Sequence, residues 1–243
     1  MKRQQIRKLL LLISLLLFPI TMWYFSPAII MMAFAQHILN GSFFVFLGML
    51  LLSLFCGRIF CGYLCPVGCL QECIAGVNNK PARLEKRDYI KFVIWTIWIA
   101  VLAYLFFTGK GKVKVDFFFM TTHGISIAEI ADYITYYGVI LLLFLPALIH
   151  GRRAGCHYIC WMAPFMMIGS KIGQKLHLPQ LHVAADISSC ISCKKCTNVC
   201  PMGLDVEKML HEKGNTCNGE CINCGSCIDN CPKKALSFKF KWK

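Results

Sequence analysis

Apolar residues gather into four long runs in the first two thirds of the chain: 9–35, 38–55, 89–107 and 133–149. Each is free of charge or nearly so, with Lys91 near the start of the third run as the exception. Each is also long enough to cross a hydrocarbon core of about 30 Å as a helix. Trp23, Tyr24, Tyr89 and Tyr133 stand near run ends, where amphipathic rings favour the interface. Buried core helices would leave similar runs. Four in succession instead predict four transmembrane helices, arranged as two hairpins, in a mainly α membrane protein. The apolar runs stop at about Lys171, so residues 176–243 are expected to form a small α+β domain after a membrane domain of residues 1–175.

Lys and Arg set the expected orientation. Lys2, Arg3, Arg7 and Lys8 precede the first run, Arg58, Lys80, Arg83, Lys86 and Arg87 occupy the second connection, and Arg152 and Arg153 follow the last run. The first outer connection, 26–37, has none; Lys110, Lys112 and Lys114 in the third connection are a weaker counter-signal. This bias predicts a multi-pass protein of the inner (cytoplasmic) membrane, in contact with lipid, with both termini in the cytoplasm. Ala33, Phe34 and Ala35 match a signal-peptidase pattern, but the apolar stretch before them is about twice the usual length, so an uncleaved anchor is expected.

The composition, 57% hydrophobic, agrees with a membrane class, and the net charge of +14 is partly explained by the inner connections. A chain carrying several anionic thiolate-ligated clusters would also need such an excess, so nucleic acid is not expected as a partner. A transporter is disfavoured as well, because the runs hold no carboxylate or base away from their ends.

The sixteen cysteines change the picture most. Disulfides do not persist on the cytoplasmic side, which leaves metal or cluster ligation. The tail carries C-x-x-C-x-x-C-x-x-x-C-P twice, as Cys190, Cys193, Cys196, Cys200-Pro201 and Cys221, Cys224, Cys227, Cys231-Pro232. Three thiolates two residues apart fit a tight loop around one face of a cubane. The fourth, expected at the start of a short helix, ligates the other cluster in two-cluster ferredoxins. This gives one [4Fe-4S] centre on Cys190, Cys193, Cys196 and Cys231, and a second on Cys221, Cys224, Cys227 and Cys200. Zinc also binds C-x-x-C pairs, but two complete sets, each ending in Cys-Pro, favour clusters. The tail resembles bacterial two-cluster ferredoxin domains over about fifty residues.

A repeat lies in the membrane part. Shifting the sequence by 95 residues lays GRIFCGYLCPVG (57–68) over RRAGCHYICWMA (152–163) and pairs Arg58 with Arg153, Cys61 with Cys156, Tyr63 with Tyr158 and Cys65 with Cys160. Each copy follows a hairpin, the pattern of parallel repeats about an axis along the membrane normal. Two C-x-x-x-C pairs brought together at that axis would supply four thiolates for one iron–sulfur cluster at the membrane edge. Buried thiols that merely pack are the plainer alternative.

With CGRIFCGYLCPVGCLQE, RRAGCHYIC and the two-cluster tail, residues 40–232 resemble the membrane-bound polyferredoxins of the NapH, NosR and MauN type. In that family C-x-x-x-C-P motifs flank the membrane, and members pass electrons between the quinone pool, or a cytoplasmic donor, and a redox partner. The resemblance implies an electron-transfer subunit with a partner protein and a quinone as candidate partners, and a quinol dehydrogenase or another oxidoreductase complex as its candidate assembly. A redox-sensing regulator or a maturation factor for a partner reductase is the alternative. Trp161 departs from the pattern, standing where the first motif has Pro66, and puts the local turn in question.

Cys56, Cys69, Cys73 and Cys217 remain. Pro66 suits the first turn of a helix, which would set Cys65, Cys69 and Cys73 on one face. With Cys217 and Cys56 the leftover thiols would make a fourth cluster bridging the two domains, or else are packing thiols. His37, His123 and His150 form no haem motif and are read as structural; His157, between two candidate ligands, is placed to hydrogen-bond a cluster sulfur. The outer loop 109–130 is the expected docking or quinone-proximal surface, with Phe117, Phe118 and Phe119 in the interface.

Overall fold

The computed structural model describes residues 2–80, 82, 86–108 and 112–241. It is mostly helical. Among the described residues two helices are long and apolar enough to cross a membrane, Ile90–Thr108 and Asp132–His150, and a third span arises if the bent pair Lys2–Leu16 and Phe18–Phe25 counts as one. The shorter apolar helix Gly41–Cys56 occupies the second of the four runs expected to span. The run 9–35 does not form one helix: α1 (Lys2–Leu16) gives way to a short α2 (Phe18–Thr21) at a 60° bend, and α3 (Pro27–Ala35) starts afresh. Proline is the physical reason. Pro19 sits in the first turn of α2 and Pro27 in that of α3, where a missing N–H is harmless but a continuous helix is broken.

The run 38–55 is shortened in turn. Its first residues form strand β1 (Ile38–Asn40), and Asn40 caps α4 (Gly41–Cys56) by accepting from the Phe43 amide at 3.1 Å. After α4 come α5 (Ile59–Tyr63) and α6 (Pro66–Cys73), then α7 (Ile90–Thr108), strand β2 (Lys114–Asp116) and α8 (Asp132–His150). In the outer loop, β2 pairs in parallel with β1, and Tyr24 packs on Phe117 with ring centroids 5.7 Å apart. Lys110 and Arg83 lie outside the described residues, as do the side chains of Lys86 and Arg87. The outward faces of α7 and α8 stay apolar and uncovered, with Val93, Ile97, Tyr104, Ile134 and Leu141 exposed, as lipid contact requires.

The two motif copies fold alike. α9 (Ala154–Tyr158) matches α5, and the closing turns carry the same hydrogen bonds: Leu64 and Cys65 amides to the Phe60 carbonyl, Ile159 and Cys160 amides to the Gly155 carbonyl. Trp161 therefore keeps the turn despite replacing proline, and its indole Nε1 anchors to the Phe25 carbonyl at 3.1 Å. α10 (Met162–Lys175) then packs on α4 through Gly169 and Gly173. A Cβ at Gly169 would meet the Ser53 Oγ at 1.9 Å, and one at Gly173 the Leu54 carbonyl at 2.3 Å. This small-x-x-x-small face brings the backbones together where lipid supplies no hydrophobic drive.

The tail begins with β3 (Gln180–Ala185), paired antiparallel with β4 (Leu236–Lys241) from Gln180 opposite Lys241 to Ala185 opposite Leu236. Between them lie α11 (Lys195–Asn198), α12 (Val206–Lys213) and α13 (Ser226–Asp229). One buried apolar core runs from Phe46 and Trp98 in the membrane helices through Cys61 and Cys156 to Ile222 and Leu236 in the tail. Tail and membrane domain thus share a core.

Candidate functional site

Each tail motif winds through alternating left-handed residues, Ser192 and Lys194 in the first, Asn223 and Gly225 in the second. The reversals turn the cysteines toward a common interior, and glycine makes the second cheap. Cys196 and Cys227 sit inside α11 and α13, whereas Cys200 and Cys231 follow those helices. The expectation that the fourth cysteine begins a helix is corrected: the short helix spans the third ligand position, and the chain leaves it before Cys-Pro.

Two tail cavities hold the sulfurs. One is lined by Cys190, Cys193, Cys196 and Cys231. The other is lined by Cys200, Cys221, Cys224 and Cys227. Each motif lends its fourth cysteine to the other's cavity. Among the described residues no three His, Cys, Asp or Glu side chains converge on a single-ion site; four soft sulfur donors around one space fit a cluster. At the first, distal cavity Cys193 is exposed, and Lys194, Lys195 and Lys233 stand at the rim. The second, proximal one is lined by Val183, Met202, Leu204 and Ile222, and burial pushes the Cys200 thiol up to about 12.

Cys61, Cys65, Cys156 and Cys160, from the two repeats, are all buried in the shared core. They lie near enough for their charges to act on one another: burial, then Cys61, Cys156 and Cys160, push the Cys65 thiol up, and burial, then Cys156 and Cys61, push Cys160 up to about 12. Four such thiols ionise together only around a cationic core, so the donor set fits an iron–sulfur centre. Arg58 and Arg153 flank them, 1% and 0% exposed. Each guanidinium holds one carboxylate: Arg58 reaches Glu220 at 2.6 Å, and Arg153 reaches Glu72 at 2.5 Å. Lys91, 0% exposed, also pairs with Glu220, and Arg7 pairs with Glu72 at 2.8 Å. Burial works to raise the Glu72 carboxyl, but Arg153 and Arg7 prevail and hold it down at about 2.

The proximal tail cavity abuts this membrane-edge set through equivalent positions of the two repeats. Gly62 lies against the Ile222 carbonyl, where a Cβ would come within 2.4 Å. Its counterpart His157 donates from Nε2 to the Met202 carbonyl at 3.1 Å, since a carbonyl can only accept. Gly62 follows Cys61 and Ile222 follows Cys221; His157 follows Cys156 and Met202 lies two residues after Cys200. Gln4 Nε2 donates to the Cys224 carbonyl at 3.0 Å and Asn223 Nδ2 to the Cys56 carbonyl at 3.0 Å. The expected His157 bond to a cluster sulfur is corrected: the ring faces the tail, its Nδ1 3.7 Å from Asp88 and 3.8 Å from Glu220. Burial pushes its pKa down to about 4, so the ring is neutral at physiological pH.

The four leftover thiols are not gathered. Cys69 and Cys73 interact with each other and line a groove with Gln4, Arg7 and Arg152. Cys217 lines a separate polar cavity with Gly57, Arg58 and Ser170, and Cys56 sits at the end of α4. The single four-thiol bridge expected from counting is therefore split, because α6 carries Cys69 and Cys73 to the α1 side. Lys91 and Arg7 entered the sequence reading only as charges beside apolar runs, and Glu72 and Glu220 escaped it. Their signal was scarcity: in a chain with 26 Lys and Arg against 12 Asp and Glu, an acid inside a cysteine motif stands out.

Comparison with known proteins agrees with this geometry. Residues 41–83 and 132–179, the two repeats, match the family described as 4Fe-4S binding domain, and residues 182–232 match the 4Fe-4S dicluster domain. The chain is 27% identical over 203 residues to an uncharacterized protein of Methanocaldococcus jannaschii, covering 79% of this chain and 76% of that one. It is 26% identical over 202 residues to an Escherichia coli protein named for electron transport, YccM, covering 75% of this chain but 51% of YccM. It is 24% identical over 190 residues to the ferredoxin-type protein NapH of Haemophilus influenzae, covering 76% of this chain and 63% of NapH. The chain thus spans about half of YccM and less than two thirds of NapH. No solved structure matches. Two kinds of 4Fe-4S domain on an apolar helical frame are consistent with an iron–sulfur electron-transport protein of the NapH polyferredoxin type.

Proposed function

We propose that the chain relays electrons in three stages, from the distal tail site to the proximal tail site, to a centre on Cys61, Cys65, Cys156 and Cys160, and from there to a quinone or a partner redox subunit. One observation carries the reading. The ligand loops of the proximal site are clasped by Gly62 and His157, the same position in both repeats, each next to a membrane-edge cysteine. Transfer across that contact needs no bridging cluster. Each centre, when bound, supplies a one-electron store; the chain supplies the spacing, the burial and the charge around it.

In the bilayer, α7 and α8 form one hairpin, and α1 with its bent continuation forms the other with α4, giving four passes. The N-terminal helix touches the tail through Arg3 to Asp229 at 3.3 Å and Gln4 to Asp229 at 2.7 Å, so the two share a side. The bias of Lys and Arg makes that side the cytoplasm. A reporter fused after Lys243 then reads cytoplasmic; a periplasmic reading overturns the orientation. The relay itself is tested on the full-length protein in nanodiscs by giving electrons to the tail from a reduced viologen and freezing the mixture at intervals. Three paramagnetic signals filling in sequence, and emptying on addition of a short-chain quinone or the partner, support it. Two signals that never exchange electrons with a third contradict it.

A further inference from the structure

Arg58 and Arg153 occupy equivalent positions of the repeat, and neither spends all its donors on its carboxylate. Arg153 Nη1 donates to the Cys61 carbonyl at 2.9 Å and lies 4.0 Å from the Cys156 sulfur. The Nε of both residues and Nη2 of Arg58 are buried and have no protein acceptor among the described residues. An unmet guanidinium donor in a dry interior is costly, which points to an acceptor of another kind. The neighbours are sulfurs: Arg58 feels Cys61, Cys156 and Cys160, and Arg153 feels Cys156 and Cys65. The buried ionic groups around them are Arg7, Arg58, Lys91 and Arg153 against Glu72 and Glu220, with Asp88 beyond His157, so positive charge is in excess before any thiol ionises. Gly68 makes room for the arrangement, since a Cβ there would meet Arg153 Nη1 at 2.8 Å.

We propose that Arg58 and Arg153, one from each repeat, are a matched pair of positioning donors to the sulfurs of an anionic iron–sulfur centre on Cys61, Cys65, Cys156 and Cys160. The proposal rests on the relay reading above. Charge and N–H···S bonds favour the reduced, more negative form, so the pair raises the potential of the membrane-edge centre and makes it the sink for electrons arriving from the tail.

The test is a redox titration of the full-length protein followed by paramagnetic resonance, with resonance Raman in H2O and D2O. Arg153→Lys keeps a cation but loses the planar fork, and Glu72 keeps Arg7 as a partner, so this variant disturbs the fold least. The expected result is a reduced-to-oxidised ratio at the membrane-edge centre about tenfold lower at fixed potential, about 59 mV for one electron. The two tail signals stay in place, and the isotope shift of that centre's iron–sulfur bands weakens. Arg58→Lys moves it the same way. Glu72→Gln, which removes a negative charge, moves it the opposite way. A membrane-edge midpoint unmoved by Arg153→Lys, or all three midpoints moving equally, overturns the proposal while leaving the relay standing. A wild-type protein with no third signal overturns both.

Discussion

The two tail sites are built from the same motif and live in different surroundings. The distal one has Cys193 exposed beside Lys194, Lys195 and Lys233; the proximal one buries Cys200 and Cys224 among Met202, Leu204 and Ile222 and abuts Gly62 of the membrane domain. Spacing fixes which cysteines meet, and environment fixes what each site is for. A cationic rim suits an encounter with an anionic donor protein, and contact with Gly62 and His157 suits onward transfer inside one molecule.

The difference can be broken at several points, beginning with the largest effect. Glu220→Gln leaves Arg58 and Lys91 buried without their shared carboxylate, and breaking such a pair costs about 3–5 kcal/mol. Protease protection of the tail in detergent should fall accordingly, with the membrane helices still folded; an unchanged digestion rate would mean that the ion pairs do not hold the tail. Gly62→Ala comes next. Its methyl would meet the Ile222 carbonyl, and overpacking of that kind costs about 1–3 kcal/mol. The proximal signal should broaden or shift while the distal one keeps its line shape, and equal perturbation of both would erase the distinction between the sites.

Crossed pairing offers a sharper, smaller test. Cys231→Ser and Cys193→Ser should alter the same signal, and Cys200→Ser the other one; Cys231→Ser affecting the signal of Cys224→Ser instead would refute the exchange of fourth ligands. The smallest effect lies at the distal rim. Lys194→Gln with Lys233→Gln should change stability by no more than about 0.5 kcal/mol. Reduction by an anionic donor should nevertheless slow and lose much of its dependence on ionic strength, read by stopped-flow at several salt concentrations.

The tail was legible in the sequence because its chemistry is local: Cys190 to Cys200 lie within eleven positions, and the left-handed turns at Ser192 and Lys194 need only the loop itself. The membrane-edge set was legible through repetition, since Arg58 and Cys61 have partners 95 residues on. Hydropathy missed the breaks inside the first two runs, because a sum over residues 9–35 does not feel Pro19 and Pro27, or the strand that takes Ile38. The ion pairs of Glu220, Lys91 and Glu72 were hidden for a different reason. Their roles depend on helices far apart in sequence meeting at one point, as when Lys91, in the first turn of a spanning helix, turns out to hold a tail carboxylate. Counting thiols misled in the same way, since Cys69 and Cys217 face different cavities.

The central claim is that both repeats build one centre that takes electrons from the tail. It is tested most directly by iron content and paramagnetic resonance on anaerobically purified full-length protein, compared with Cys61→Ser and Cys156→Ser. The expected wild-type value is about twelve iron atoms per chain, with both variants losing one and the same signal and retaining about eight. A wild-type value already near about eight, or two variants that lose different signals, would contradict it.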